Sequence, residues 1–177
     1  MALSLIKSES LATGAGGSIL QVQRTQFTGT TELSLSANTD TAVTDLTVNI
    51  TPTSTSSIIK IEAQITGEWA NTSGATDNVW FFYRDSTKLS HATAGSRNVG
   101  IMMGTNLSYT ANAQSTPESI YYSYFDTPSS TSQITYKVGV NQGDGGYNYF
   151  INRTVSDTDQ ITYERGISFI SVTEIAG

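Results

Sequence analysis

Ile59-Lys60-Ile61-Glu62-Ala63-Gln64-Ile65-Thr66 decides the fold, because four apolar residues alternate strictly with four polar ones. A period of two sends successive side chains to opposite faces of an extended chain, one dry and one wet. A helix would need its apolar residues three and four apart. Moving upstream, Leu46, Val48 and Ile50 alternate with Asp45, Thr47 and Asn49 until Pro52 stops the run, and Ile19-Leu20-Gln21-Val22-Gln23 opens an earlier strand. Moving downstream, Ile134, Tyr136, Val138 and Val140 alternate again, and Tyr147 to Ile151 and Ile167 to Ile175 complete the set. Two further runs, Val79-Trp80-Phe81-Phe82-Tyr83 and Ile120 to Phe125, are apolar or aromatic on both faces. Such strands are central, or one of their faces meets another subunit.

Turn-forming clusters separate these runs at Thr51 to Ser57, Asn71 to Asp77, Thr127 to Ser132, Gly143 to Gly146 and Asp157 to Asp159. No window carries a long amphipathic helix. About eight strands at this spacing predict an all-β fold, an antiparallel β-sandwich or jelly roll, occupying residues 18–177 as one domain. Residues 1–17 read as a flexible N-terminal arm ending in the hinge Thr13-Gly14-Ala15-Gly16-Gly17. Leu3, Leu5, Ile6 and Leu11 are more apolar than a solvated tail needs, so the arm is either a disordered terminus or a segment that orders on docking against a neighbour.

Composition narrows the partners. Nine Lys and Arg against fifteen Asp and Glu give a net charge of -6. That sign opposes a sequence-independent grip on nucleic acid, and it opposes docking on an anionic bilayer. Charged residues are only 14% of the 177-residue chain, against about a quarter in an average soluble domain. Ser and Thr, about fifty residues together, supply the surface polarity instead, a balance common in extracellular and viral β-sandwiches. There is no cysteine, which excludes disulfides and thiolate metal sites. The opening residues lack the apolar stretch of a signal peptide and no run reaches membrane-spanning length, so a protein made in a cytoplasm is expected, leaving it only on or in something else.

Catalytic chemistry has few places to reside. His91 is the single histidine, set in the small-residue loop Ser90-His91-Ala92-Thr93-Ala94-Gly95, and no Ser lies in a nucleophile elbow. The acidic turns Asn141-Gln142-Gly143-Asp144-Gly145-Gly146 and Asp157-Thr158-Asp159 lack the alternating oxygens of a calcium loop and suit tight hairpins. Glu62, Glu68, Glu118, Glu164 and Glu174 fall mostly at solvent-facing strand positions or strand ends, and no pair stands out as a glycosidase site. Gly95 to Gly104 lacks the ending of a phosphate-binding loop. The expectation is therefore a non-enzyme with no cofactor and no metal. Asn71-Thr72-Ser73, Asn106-Leu107-Ser108 and Asn152-Arg153-Thr154 match the glycosylation sequon, at the frequency chance allows in so Ser/Thr-rich a chain.

The aromatic residues are the remaining candidates. Trp69, Trp80, Tyr109, Tyr122, Tyr124, Tyr147 and Tyr149 would build a subunit interface or a sugar-stacking face, or else pack a core. On the Ile120–Phe125 strand, either Tyr121 with Ser123 and Phe125, or Tyr122 with Tyr124, must face away from the core.

Several blocks in order along the chain carry a resemblance. They are Thr44-Asp45-Leu46-Thr47-Val48-Asn49-Ile50-Thr51-Pro52, then Ser56-Ser57-Ile58-Ile59-Lys60-Ile61, Tyr83-Arg84-Asp85-Ser86-Thr87 with Ser96-Arg97, Phe125-Asp126-Thr127-Pro128 leading into Thr135-Tyr136-Lys137-Val138, Ile151-Asn152-Arg153-Thr154, and Ser168 to Ile175. In these the chain resembles short virion-associated proteins of tailed bacteriophages, notably marine ones, described as tail-fibre or structural proteins. The family's Ser-Ser-Lys-Ile pattern is altered here to Ser56-Ser57-Ile58-Ile59-Lys60-Ile61. The resemblance implies a surface component of the virion, a trimeric jelly roll whose partners are itself and other capsid or tail proteins. A capsid decoration, a head fibre or a tail-fibre tip all fit, and the shortness of the chain favours a decoration or a mounted tip over a whole fibre. The alternative is a tail-fibre module that binds host surface polysaccharide. Locally, Tyr83-Arg84-Asp85 suggests an arginine paired with a neighbouring carboxylate, and Asp126 before Thr127-Pro128 suggests a turn cap.

Overall fold

Alternation of branched and aromatic residues with Ser, Thr and charged residues produces strands throughout. The structure, a computed structural model, describes residues 17–70, 76–104, 115–143 and 145–177, and among them no helix forms. Eleven strands follow in order: β1 Ile19–Phe27, β2 Thr31–Ser34, β3 Thr41–Ile50, β4 Ile58–Trp69, β5 Asn78–Arg84, β6 Thr87–Leu89, β7 Met102–Met103, β8 Glu118–Asp126, β9 Ile134–Gln142, β10 Asn148–Ile151 and β11 Ser168–Ile175.

Two antiparallel sheets result. In sheet I, β4 is flanked on one side by β8 and on the other by β11 and β10, which extend to β1 and β2. In sheet II the order is β3, β9, β5, β6, with β7 also on β5. Five hydrogen-bonded pairs are nested along the chain: β1 with β11, β2 with β10, β3 with β9, β4 with β8, and β5 with β6. This is one long hairpin rolled so that its pairs are shared between the two sheets, β1–β11, β2–β10 and β4–β8 in sheet I and β3–β9 and β5–β6 in sheet II, the winding of a jelly roll. The all-β sandwich expected from the sequence is the fold observed.

The apolar half of each alternating strand fills the space between the sheets. Ile59, Ile61, Ala63 and Ile65 of β4 and Ile170 and Val172 of β11 meet Val138 and Val140 of β9 and Leu46, Val48 and Ile50 of β3, all buried. The alternation in β3 changes phase at a register break between Val43 and Thr47, so both Val43 and Leu46 point inward although three residues apart. For that reason the sequence pattern locates the strand from Leu46 and misses its first turn of pairing, Thr41 to Val43. β2, β6 and β7 were also missed; they are two to four residues long, too short to show a period.

Candidate functional site

The seven aromatics singled out in the sequence divide sharply. Trp69, Trp80 and Tyr149 form a three-ring core cluster with edge-on contacts at centroid separations of 6.5, 5.0 and 5.3 Å. Trp69 and Tyr149 are direct cross-strand partners on β4 and β10, and the Trp80 indole N–H donates to Asn78 Oδ1 at 3.1 Å. Tyr122 stacks on Phe82 at 4.5 Å and its hydroxyl crosses between the sheets to the Phe81 carbonyl at 3.0 Å. Burial pushes the Tyr122 and Tyr149 hydroxyls well above the usual tyrosine range, Tyr149 further by the nearby Glu118 and Glu68 carboxylates. All four rings are buried in the core, which corrects their placement on an exposed ligand or subunit face: each buries a large apolar area there. Tyr124 and Tyr147 are half-buried against the same core. Tyr109 and the arm residues Leu3, Leu5, Ile6 and Leu11 lie outside the described residues.

Of the two ways to orient the β8 aromatics, the structure takes Tyr121, Ser123 and Phe125 outward. Tyr121 and Phe125 are 54% and 58% exposed. They lie on the outer face of sheet I, opposite Gln64 and Lys60 of β4, and beyond them come Phe169 and Thr173 of β11 and Gln26 and Val22 of β1. The rest of the face carries Ser119, Ser123, Thr66 and Ser171 together with the charged Glu62 and Arg24. The Tyr121 hydroxyl donates to Glu62 Oε1, and Lys60 Nζ meets the same oxygen at 2.8 Å. Burial raises the Glu62 pKa, but the bonds from Lys60 and Tyr121 outweigh it and the carboxyl sits below its usual range.

The other two-sided strand, β5, is treated differently. Its outward residues Phe81 and Tyr83 lie edge to face at 5.2 Å. Lys88 places its ammonium 4.1 Å from the centre of the Phe81 ring, and Lys137 stands 5.7 Å from that of Tyr83. Gly139 opposite makes room, since a Cβ there would come within 2.3 Å of the Phe81 ring. β5 is a central strand whose outer rings are covered by the chain itself. Among the described residues β8 is an edge strand whose outer rings are not covered in this way.

Two carboxylates placed by the sequence mainly at solvent are buried, which is a second correction. Glu174 accepts bonds from the Thr53 N–H and hydroxyl at 2.6 and 2.7 Å, the Ser57 hydroxyl at 2.6 Å and the Gln21 amide at 2.6 Å. Burial raises its pKa, yet these bonds dominate and bring it to about 2. Glu68 accepts from the Thr116 N–H and hydroxyl at 2.7 and 2.8 Å and from the Val155 N–H at 2.7 Å. Both act as anchors for turns, a role invisible locally because their donors lie far away in sequence.

The local pairings expected from the repeated blocks are also revised. Arg84 reaches not its neighbour Asp85 but Asp126 in the other sheet, at 3.0 Å. Asp126 therefore caps no turn. Asn152 is fully buried at a positive φ of 61°. Its amide donates to the Phe27 and Gly29 carbonyls at 2.8 Å each, and its oxygen accepts from Ser168 at 2.6 Å. Both amide hydrogens of this sequon are thus committed inside the folded protein.

Elsewhere, His91 is exposed in its loop with Nδ1 2.6 Å from the Ala92 carbonyl, and Asp157 is held by Arg165 at 2.6 Å. Among the described residues no three His, Cys, Asp or Glu side chains converge on a common point.

No protein-family model matches the chain and no curated protein is significantly similar to it. Among solved structures, the chain is similar to the structure of Eiger TNF from S. frugiperda, at 12% identity and a TM-score of 0.36, over 79% of this chain and 95% of that one.

Proposed function

We propose that this chain is a non-enzymatic structural protein of a bacteriophage virion, displayed on the particle surface and assembled as a symmetric oligomer. The observation that supports this reading is the contrast between the two aromatic strands. The chain covers the outer rings of β5 with its own lysines and leaves Tyr121 and Phe125 of β8 bare on the outer face of sheet I, among Lys60, Glu62, Gln64 and short hydroxyl side chains. Exposed aromatics on a polar, rigid surface are the mark of a contact face. The resemblance to tailed-phage virion proteins supplies the setting: a capsid decoration, head fibre or tail-fibre tip, trimeric in the form that resemblance implies.

The test is twofold. Sedimentation velocity at micromolar concentration is expected to give an oligomeric mass that falls toward monomer in the Tyr121→Ser/Phe125→Ser double variant. Antibody labelling of intact particles is expected to decorate the virion surface. A wild-type monomer together with unlabelled particles overturns the proposal.

A second reading, binding of host surface polysaccharide, draws on the same face. The Tyr121 ring, tethered through Glu62 and bordered by Ser119 and Ser123, offers a stacking plane beside hydrogen-bonding groups. It predicts saturable glycan binding that the same double variant abolishes. A blank glycan array from an intact oligomer removes this reading and leaves the first in place.

A further inference from the structure

Sheet edges expose unpaired N–H and C=O groups, and proteins ordinarily guard them with short length, bulges or charges. The described edges of this sandwich follow that practice with one exception. β6 and β7 have three and two residues, and β2 has four with Glu32 among them. β3 is broken in register between Val43 and Thr47, and β1 between Ile19 and Gln21. β8 runs nine residues in unbroken register with β4, from Asp126 opposite Ile59 to Glu118 opposite Gly67. Its only charged residues are the two at its ends.

We infer that the free edge of β8 pairs with β8 of a second copy, antiparallel about a two-fold axis at Ser123, joining two copies of sheet I into one continuous sheet. Three features of β8 select this occupant and register. With the axis at Ser123, Tyr121 stands opposite the partner's Phe125, so the two bare outer rings of each copy become cross-strand aromatic pairs. Tyr122 stands opposite the partner's Tyr124, which covers the half-buried inward ring at the edge. An axis one residue earlier, at Tyr122, would instead set Glu118 against the partner's Asp126, like charge facing like charge. With the axis at Ser123 the two Glu62 residues lie three strand spacings apart, about 14 Å, beyond the screening length in physiological salt. The contact is isologous: one patch serves both sides.

This contact goes beyond the proposed oligomer in naming its edge and symmetry. A two-fold contact cannot close a trimer, so where trimers form it links them in pairs.

A cysteine-free chain makes the test direct. Residues facing each other across a two-fold axis in an antiparallel pair have Cα atoms about 4.5–5.5 Å apart, within disulfide range. Under mild oxidant Ser123→Cys is expected to run as a covalent dimer on a non-reducing gel. Ser119→Cys, whose counterpart would lie about 27 Å away, is expected to remain uncross-linked. Ser123→Lys, at an exposed position, is expected to keep the fold by circular dichroism and to lose the two-fold species in sedimentation. An associating wild type whose Ser123→Cys variant does not cross-link overturns the edge pairing while leaving self-assembly standing. A monomeric wild type overturns both.

Discussion

Arg84 of sheet II donates to both carboxylate oxygens of Asp126 in sheet I, at 3.0 and 3.2 Å, while the Tyr136 hydroxyl donates to Asp126 Oδ2 at 2.7 Å. The carboxylate is thereby a bolt between the two sheets at the end of β8. Burial drives the Tyr136 hydroxyl pKa far upward and its bond to Asp126 adds to the shift, so the phenol stays a donor at any ordinary pH. Asp126→Ala leaves the buried hydroxyl without its acceptor and the guanidinium without its partner, and it is expected to cost about 3 kcal/mol. Tyr136→Phe is expected to cost about 1 kcal/mol, and the double variant less than the sum. Urea denaturation of the three variants measures this.

Glu174 makes stability depend on pH with a definite sign. Its native pKa of about 2 lies below the ordinary value of 4.5, so the native state holds the proton less tightly than the unfolded chain does. The stabilisation is complete above about pH 4.5 and is lost as pH falls toward 2. Its size is on the order of 3 kcal/mol. The stability gap between wild type and Glu174→Gln is expected to be widest near neutrality, to narrow below pH 4.5, and to be largely closed at pH 2. Denaturant midpoints taken at intervals across that range decide it.

Asn152 offers two amide hydrogens to carbonyls and one oxygen to a hydroxyl, all buried. Asn152→Asp replaces the donor by an anionic oxygen facing the Phe27 and Gly29 carbonyls. The expected loss is about 3 kcal/mol or more, among the largest from any single-atom change in this chain. Asn152→Gly accepts the positive φ and loses only the bonds, so it is expected to be milder than the isosteric Asp variant. That inverted order is the measurement to make, by thermal unfolding.

Gly67 lies on β4 where β10 crosses close. A Cβ there would come within 2.2 Å of the Phe150 carbonyl oxygen, a backbone atom with no rotamer to escape into. Gly67→Ala is expected to destabilise by about 3 kcal/mol through forced displacement of β10. Gly95 has a positive φ of 67° and only the far end of the Arg97 side chain nearby, at 4.0 Å. Gly95→Ala is expected to cost about 1 kcal/mol. Comparing the two by urea midpoints separates steric from conformational penalties.

Much of this architecture is legible in the sequence, because burial on one face of a strand leaves a period of two that needs no partner to be seen. Ile59 to Ile65 and Ile134 to Val140 show it plainly, while β5 and β8, apolar or aromatic on both faces, are found by their unbroken runs instead. The features that stayed hidden share a cause: they depend on residues far apart in the chain. Arg84 beside Asp85 looks like a local pair until the roll of the sheets brings Asp126 closer. Glu68 continues the polar phase of β4 and Glu174 continues the inward phase of Ile170 and Val172, and only the turns folded over them, carrying Thr116, Val155, Thr53 and Ser57, show what holds each carboxylate in the interior. The outward set of β8 aromatics stays undecided in the sequence for a related reason. Alternation says that Tyr121 and Tyr122 point opposite ways but not which is outside, and that choice is fixed by the pairing of Tyr122 with Ala63 on β4.

The nested winding also sets the order in which the chain acquires its shape. β5 and β6 are joined by two residues, whereas β1 and β11 are separated by most of the described chain, yet Gly17 N–H meets the Ala176 carbonyl at 3.0 Å. Closing the short loop is entropically cheap and closing the long one is not, so the roll is expected to nucleate at the β5–β6 hairpin and finish at the outermost pair. Refolding should accordingly be slow, in milliseconds to seconds. Removing the Thr25 hydroxyl, which bonds the Thr47 carbonyl at 2.7 Å, should quicken unfolding and leave the refolding rate unchanged. Stopped-flow traces of Thr25→Ala in which refolding slows instead would place β1 in the nucleus. If β1 does close last, β1 and β11 are the final parts to lock, and they lock against each other.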